Sequence, residues 1–257
     1  MSHPFYAYIK FILRSKNQYG VHSPFVYDYV TKGLGNSRPE IPNNILSYRK
    51  ALLGNHDEIE ITDFGAGSKV FKDNKRVVSK LAATAGISEK RGELLFRTLN
   101  YFKPKTILEI GTSLGIATTY MSVFSNEAKV YTLEGCPKIA GLAKAYFKEF
   151  KFNNIDIVVG EFGETLPAVL KNKKFDLIYF DGNHQKEPTI DYFEQCLKAA
   201  HEDSIFIFDD IHWTNEMEHA WDFIINHKNV TISIDSFKWG MVFFRKSQVQ
   251  QHFSLRL

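Results

Sequence analysis

The sequence predicts an α/β fold: a doubly wound, mostly parallel sheet of seven strands with an antiparallel last strand, preceded by a helical N-terminal extension. Three observations carry this. From Ser88 onward, short apolar runs alternate with segments of helical spacing, the pattern of a parallel sheet covered on both sides by helices. The run Thr106-Ile107-Leu108-Glu109-Ile110 turns through Gly111-Thr112-Ser113-Leu114-Gly115 into a helical segment, as a buried central strand does when it delivers its chain to a helix start. Residues 230–234 and 240–244 form a closing hairpin. A turn that short cannot be a crossover, so the final strand must run antiparallel.

The elements come in order. Residues 1 to about 85 form the helical extension, and residues 86–257 the main domain. Residues 5–13 read as an amphipathic helix, and Ser23-Pro24 caps a helix over 24–32 that Gly33 stops. Another helix covers 44–53. The stretch Glu60–Ser68 imitates the later glycine turn but lacks helical apolar spacing after it, so it is read as a loop. Lys69, Lys72, Lys75, Arg76 and Lys80 read as a solvated basic helix face. Ser88 caps a helix ending at Lys103-Pro104. Strands are then expected at Thr106–Ile110, 129–133, Ile155–Val159, 175–180 and 204–208, ahead of the hairpin. Helices are expected at 115–124, 137–150, 164–170, 188–200 and Asn215–Ile225.

Composition narrows the classes. An apolar fraction of 44% is that of a globular chain able to bury a full core, and a formal charge of +3 is too small to argue for nucleic acid. Cys136 and Cys196 are the only cysteines and have no metal or redox spacing, which suits a reducing cytoplasm. No run reaches the roughly 18 apolar residues of a membrane span, and no membrane partner is expected.

Ligands of such sheets bind at the carboxyl ends of the strands. Those ends carry Glu109 with Gly111, then Glu134, then Gly160-Glu161-Phe162, Asp181-Gly182-Asn183-His184 and Asp209-Asp210-Ile211-His212. Glu134 lies about 20 to 25 residues past the glycine turn, where a carboxylate can accept both hydroxyls of an adenosine ribose. The turn reads Gly-Thr-Ser-Leu-Gly rather than Gly-x-Gly-x-x-Gly, so it does not provide for a pyrophosphate. The expected ligand is an adenosine without phosphates.

At these residues the chain resembles the class I S-adenosylmethionine-dependent methyltransferases, over about Ser88 to Lys246. The resemblance is carried by Ile107 to Gly115, Val130 to Glu134, Phe175 to Asp181 and the antiparallel last strand. Within that group it is most similar to O-methyltransferases of the catechol and macrocin types. It implies a Rossmann-like fold and S-adenosylmethionine as cofactor. Glu109, Gly111, Ser113 and Gly115 would then surround its methionine part, with Glu134 on the ribose, Glu161, Phe162 and Gly163 along the adenine, and Asp181 also near the cofactor. Asp181, Asp209 and Asp210 occupy the positions that hold magnesium or calcium in metal-dependent relatives, a hard-oxygen set suited to such an ion.

Methyl transfer needs an aligned oxygen nucleophile and a base for its proton. Catechol-type relatives use a lysine three positions after the first metal carboxylate; here that place holds His184, and Asn183 replaces the aspartate of macrocin-type relatives. His184 is the first candidate base and His212 the second. The competing readings are structural: Asp181 and Asp209 as helix caps, both histidines as hydrogen-bonded supports, Trp213 and Trp221 as core. The expected activity is metal-assisted O-methylation of a small hydroxylated molecule, with a homodimer as one expected assembly. The alternatives are an RNA or protein methyltransferase, or a non-catalytic cofactor-binding module. No Asn-Pro-Pro-Tyr or Asp-Pro-Pro-Tyr comes after the fourth strand, which disfavours amino-group methylation of bases.

Overall fold

The computed structural model describes residues 3–35, 39–62 and 74–257. In chain order, helices α1 (His3–Arg14), α2 (Pro24–Asp28) and α3 (Asn43–Gly54) lead to strands β1 (Glu58–Glu60) and β2 (Lys75–Val77). Helices α4 (Val78–Thr84) and α5 (Glu89–Phe102) come next, and the regular alternation begins. It runs β3 (Thr106–Ile110), α6 (Ile116–Val123), β4 (Lys129–Glu134), α7 (Pro137–Glu149), β5 (Ile155–Val159) and α8 (Phe162–Leu170). It continues through β6 (Leu177–Phe180), α9 (Lys186–Leu197), β7 (Ile205–Asp209) and α10 (Asn215–Ile225), and ends in β8 (Ile232–Asp235), β9 (Trp239–Phe243) and β10 (Gln251–Ser254).

The fold is mixed α/β with mostly parallel strand pairing. It divides into two compact units, Ser37–Val169 and Met1–Asn36 with Leu170–Leu257. The expected boundary near residue 85 coincides with neither. The first part of the extension goes with the C-terminal half of the chain, and its second part with the glycine-turn half.

In Ser37–Val169, β3, β4 and β5 pair in parallel, with Glu109 opposite Thr132 and Glu134 opposite Val159. Ser88 caps α5 by accepting a hydrogen bond from the Arg91 N–H, and Lys103 ends it in the left-handed region with φ 51°, where Pro104 forbids further helix. Tyr48 of α3 is buried among Tyr146, Phe147, Phe150 and Phe152 and donates to the Leu114 carbonyl at 2.6 Å. Burial pushes its phenol far above the ordinary value of 10, so it is a permanent donor.

In the other unit, β6 and β7 are parallel, and β9 runs antiparallel to both β7 and β8. The antiparallel strand expected at 240–244 is therefore β9. β10, unforeseen, pairs in parallel with the outer side of β8, so among the described residues the strands of the main alternation number eight rather than seven. β6, β7 and β9 are buried along their whole length, as strands covered on both faces must be.

Smaller differences have local causes. α2 ends at Asp28, and a wider helical turn continues over Tyr29–Gly33. Arg76 is buried in β2, paired with β1, and does not stand on a solvated helix. Asp63–Ser68, with Lys69 and Lys72, lies outside the described residues.

Candidate active site

The glycine turn is held open by backbone that ordinary residues avoid. Gly111 has φ 105°, Ser113 φ 49° and Gly115 φ 73°. A side chain at Gly115 would also run into the Phe147 ring and Tyr48. Gly115 is therefore required for the turn's own packing as well as its conformation. The turn is pinned through its own amides: Gly111 and Thr112 donate to the Leu133 carbonyl, and Gly115 to the Thr112 carbonyl. The Ser113 N–H donates to Glu134 Oε2 at 2.8 Å, while the Cys136 N–H donates to Oε1 at 2.9 Å.

Glu134 is thus aimed at the glycine turn from the end of β4. Each of its oxygens keeps a lone pair for a ligand hydroxyl. Burial pushes its carboxyl above the ordinary 4.5, against the pull of the Cys136, Ser113 and Gly135 amides. The start of α8 is tied to the same place, because the Gly160 N–H donates to the Glu134 carbonyl at 3.0 Å. Glu161, Phe162 and Gly163 come directly after, and the Glu161 carbonyl accepts from the Glu164 and Thr165 amides that begin the helix.

Glu109 is fully buried, and Thr118 and Thr132 donate to its Oε2 at 2.5 and 2.6 Å. Thr112 extends the network to Thr132 at 2.6 Å. Sequence reasoning missed these threonines. The signal was there in principle: a carboxylate inside a buried strand needs donors, and Thr132 is its register partner on β4.

The other unit carries the acidic strand ends. After β6 the chain turns sharply, with Asn183 at φ 69° and His184 at φ 49°, and the His184 N–H donates to the Gly182 carbonyl. This brings His184 Nε2 to 3.5 Å from Asp181 Oδ1. After β7, Asp210 has φ 51° and its N–H is shared between Asp209 Oδ1 at 2.9 Å and the Lys238 carbonyl at 2.8 Å. Both strand ends thus carry non-glycine residues in the left-handed region. Burial lowers the His184 pKa, but the hydrogen bond and charge of Asp181, with the charges of Asp209 and Asp210, override it and push it up to about 9.

Neither acid is a helix cap. α9 begins at Gln185 without a side-chain cap, and α10 is capped by Thr214, which accepts from the Met217 N–H. The capping alternative for Asp181 and Asp209 therefore fails.

Two expectations are corrected. His212 is not placed to act as a base, because both ring nitrogens are engaged: Nδ1 with Glu218 Oε1 at 2.7 Å and Nε2 with Asp235 Oδ2 at 3.1 Å. Burial lowers its pKa, but the two carboxylates outweigh this and raise it. Its ring stacks on Phe237. It is a buried clamp. The metal set is also not formed: among the described residues no three His, Cys, Asp or Glu side chains are grouped to hold an ion. Asp181 faces His184, and Lys238 Nζ stands 3.6 Å from Asp210 Oδ1. Of the aromatics, Trp221 and Trp239 are core, while Trp213 is part exposed.

A family profile described as a methyltransferase domain matches residues 108–211, the stretch that holds Glu109, the glycine turn, Glu134, Asp181, His184, Asp209 and Asp210. Residues 108–211 thus carry a methyltransferase domain, similar to the class I S-adenosylmethionine-dependent methyltransferases. This methyltransferase is 26% identical over 153 residues to a catechol O-methyltransferase of Mycobacterium tuberculosis, covering 56% of the chain and 68% of that relative. It is 26% identical over 129 residues to a catechol O-methyltransferase of Niastella koreensis, covering 49% of the chain and 58% of that relative. Its fold is that of an SAH-bound Podospora anserina methyltransferase, with TM-score 0.63, 16% identity, and 88% and 98% of the two chains covered. Among the described residues of the methyltransferase, no helix is long and apolar enough to cross a membrane.

Proposed function

We propose that this methyltransferase binds S-adenosylmethionine at the glycine turn and moves its methyl group to a hydroxyl oxygen of a small molecule. The observation that carries the reading is the Glu134 carboxylate fixed against the Ser113 amide. That bond aims a buried acid at the turn, with lone pairs left for the ribose hydroxyls. Glu161, Phe162 and Gly163, tied in beside Glu134 through Gly160, are proposed to border the adenine. Glu109, Gly111, Ser113 and Gly115 are proposed to form the methionine end, with Glu109 acting through its threonine network.

In the reaction the acceptor oxygen forms a bond to the methyl carbon as the carbon–sulfur bond breaks, leaving a neutral thioether. The hydroxyl proton must go to the protein. His184 is the proposed base and Asp181 its orienting partner. With its pKa pushed up to about 9 by Asp181, Asp209 and Asp210, the His184 ring is mostly protonated at neutral pH, so the neutral form that accepts the proton is the minor one there and turnover should rise as pH approaches that value. The side-chain arrangement does not supply a ligand set for magnesium or calcium, and no step is routed through one.

The catechol O-methyltransferases among the relatives support a catechol-like acceptor. The test is a turnover assay with S-adenosylmethionine and a panel of catechols and other phenols, with and without chelator and added magnesium. O-methylated product formed with chelator present supports the reading. Product that appears only with magnesium overturns the metal-free route, and no product from any hydroxylated acceptor overturns the O-methyl assignment.

A further inference from the structure

Helix α1 is amphipathic in an unusual sense: its more apolar side faces outward. Only Ala7 and Phe11 are buried. That inner side is fastened to the hairpin of β8 and β9 through Phe11 and Phe237, with ring centroids 5.5 Å apart, and through Arg14 Nη2 and Asp235 Oδ2 at 2.7 Å. On the opposite side, Phe5, Tyr6, Ile9, Ile12 and Leu13 form one stripe at helical spacing. Leu13 is 83% exposed, Tyr6 59% and Phe5 49%. Together they present on the order of 500 Å² of apolar surface, at the upper end of what a solitary soluble protein leaves uncovered.

The charge on α1 itself has one sign. Residues 1–27 contain Lys10, Arg14 and Lys16 and no aspartate or glutamate. The end of α1 is joined to another basic segment, because Lys16 bridges to Leu255 and its carbonyl accepts from the Arg256 N–H at 3.0 Å. Lys16, Arg256 and Leu257 are exposed there. Among the acids near α1, Asp235 is taken up by Arg14 and His212 and Glu218 by His212 on the inner side, while Asp222 lines the groove beside Ala7, Lys10 and Arg14.

We propose that the outer face of α1 is a docking surface for an anionic lipid bilayer, on which the helix lies flat. The sequence excluded a membrane span, and this contact is peripheral. An apolar stripe of aromatic and branched residues with lysines at its edges, about 18 Å long, is the form in which helices settle into a headgroup region. A second copy of the chain is the less suitable occupant. A two-fold contact would set Lys10, Lys16 and Arg256 against their own copies, with no carboxylate in α1 to answer them.

Vesicle co-sedimentation of the full chain tests this, using phosphatidylcholine vesicles with and without phosphatidylglycerol. The protein is expected to pellet with the anionic vesicles, less so as salt rises. Leu13→Glu should abolish pelleting while leaving the melting temperature unchanged, since that side chain is in solvent. Lys16→Glu should weaken it by about fivefold or more, from ~1 kcal/mol per basic residue at a charged surface. Failure to pellet with either vesicle, or equal pelleting with both, overturns the proposal. So does light scattering that shows a dimer which Leu13→Glu converts to a monomer.

Discussion

Glu134 carries most of the weight at the scale of single residues. If it holds the ribose as proposed, replacing it with alanine removes charge-assisted bonds worth ~1.5–3 kcal/mol, so cofactor affinity should fall by about ten- to a hundredfold by calorimetry. Its raised carboxyl adds a pH signature. Because burial disfavours the charged form, protonation in the folded protein begins above the ordinary carboxylate range, and affinity should decline as pH falls through that raised value. Glu134→Gln should be weak and flat with pH. His184→Asn should lower kcat by about a hundredfold or more with little change in cofactor affinity; an unchanged kcat would remove His184 from the proton path. His212 is predicted to show up in stability. His212→Ala leaves the buried Asp235 and the half-buried Glu218 without their central partner and should cost about 2–4 kcal/mol. The folded pKa of His212 is raised, so its contribution is complete below the unfolded value of 6.5 and is lost as pH rises through the folded value. Melting curves of the two proteins should therefore converge on the alkaline side.

Among elements, the passage from β3 to α6 is the most constrained. Gly115 combines φ 73° with a wall of Phe147 and Tyr48, so Gly115→Ala should destabilise by about 2–3 kcal/mol in denaturant unfolding. A change under ~0.5 kcal/mol would mean the turn is looser than described. This turn was legible in the sequence because its signals are local: an apolar run, two glycines, then helical spacing. Glu134 and the acids after β6 and β7 were legible for the same reason, as strand ends recur at a fixed place in the pattern. His212 was not. Its partners Glu218 and Asp235 lie 6 and 23 residues away, and nothing in the spacing separates a clamped histidine from a base. β10 was missed because Gln251–Ser254 has too little apolar character to announce a strand, and its partner β8 lies about twenty residues earlier. The metal set rests on three acids in family positions. Their directions depend on His184 and Lys238, which no strand pattern reports.

For the whole molecule, alternation was enough to give the fold class, but not how the chain divides. The extension reads as one piece because its composition differs from that of the main domain. Yet residues 1–36 pack with the C-terminal half, through contacts such as Tyr29 on Met241 and Arg14 on Asp235 that span more than 200 residues. Sequence-local signals cannot report such pairs. A ligand that binds only the folded state raises global stability by mass action, ~2.7 kcal/mol at a hundred times Kd. For a chain of this size that is a rise in Tm of about 5–10 °C. S-adenosylhomocysteine should produce that shift in the wild type and little of it in Glu134→Ala.

The central claim is that the glycine turn and Glu134 form an adenosyl-cofactor site, and isothermal titration of the purified chain with S-adenosylhomocysteine tests it most directly. Saturable one-to-one binding that Glu134→Ala weakens at least tenfold is the predicted result. The absence of binding heat at millimolar ligand, or binding indifferent to Glu134, would contradict it.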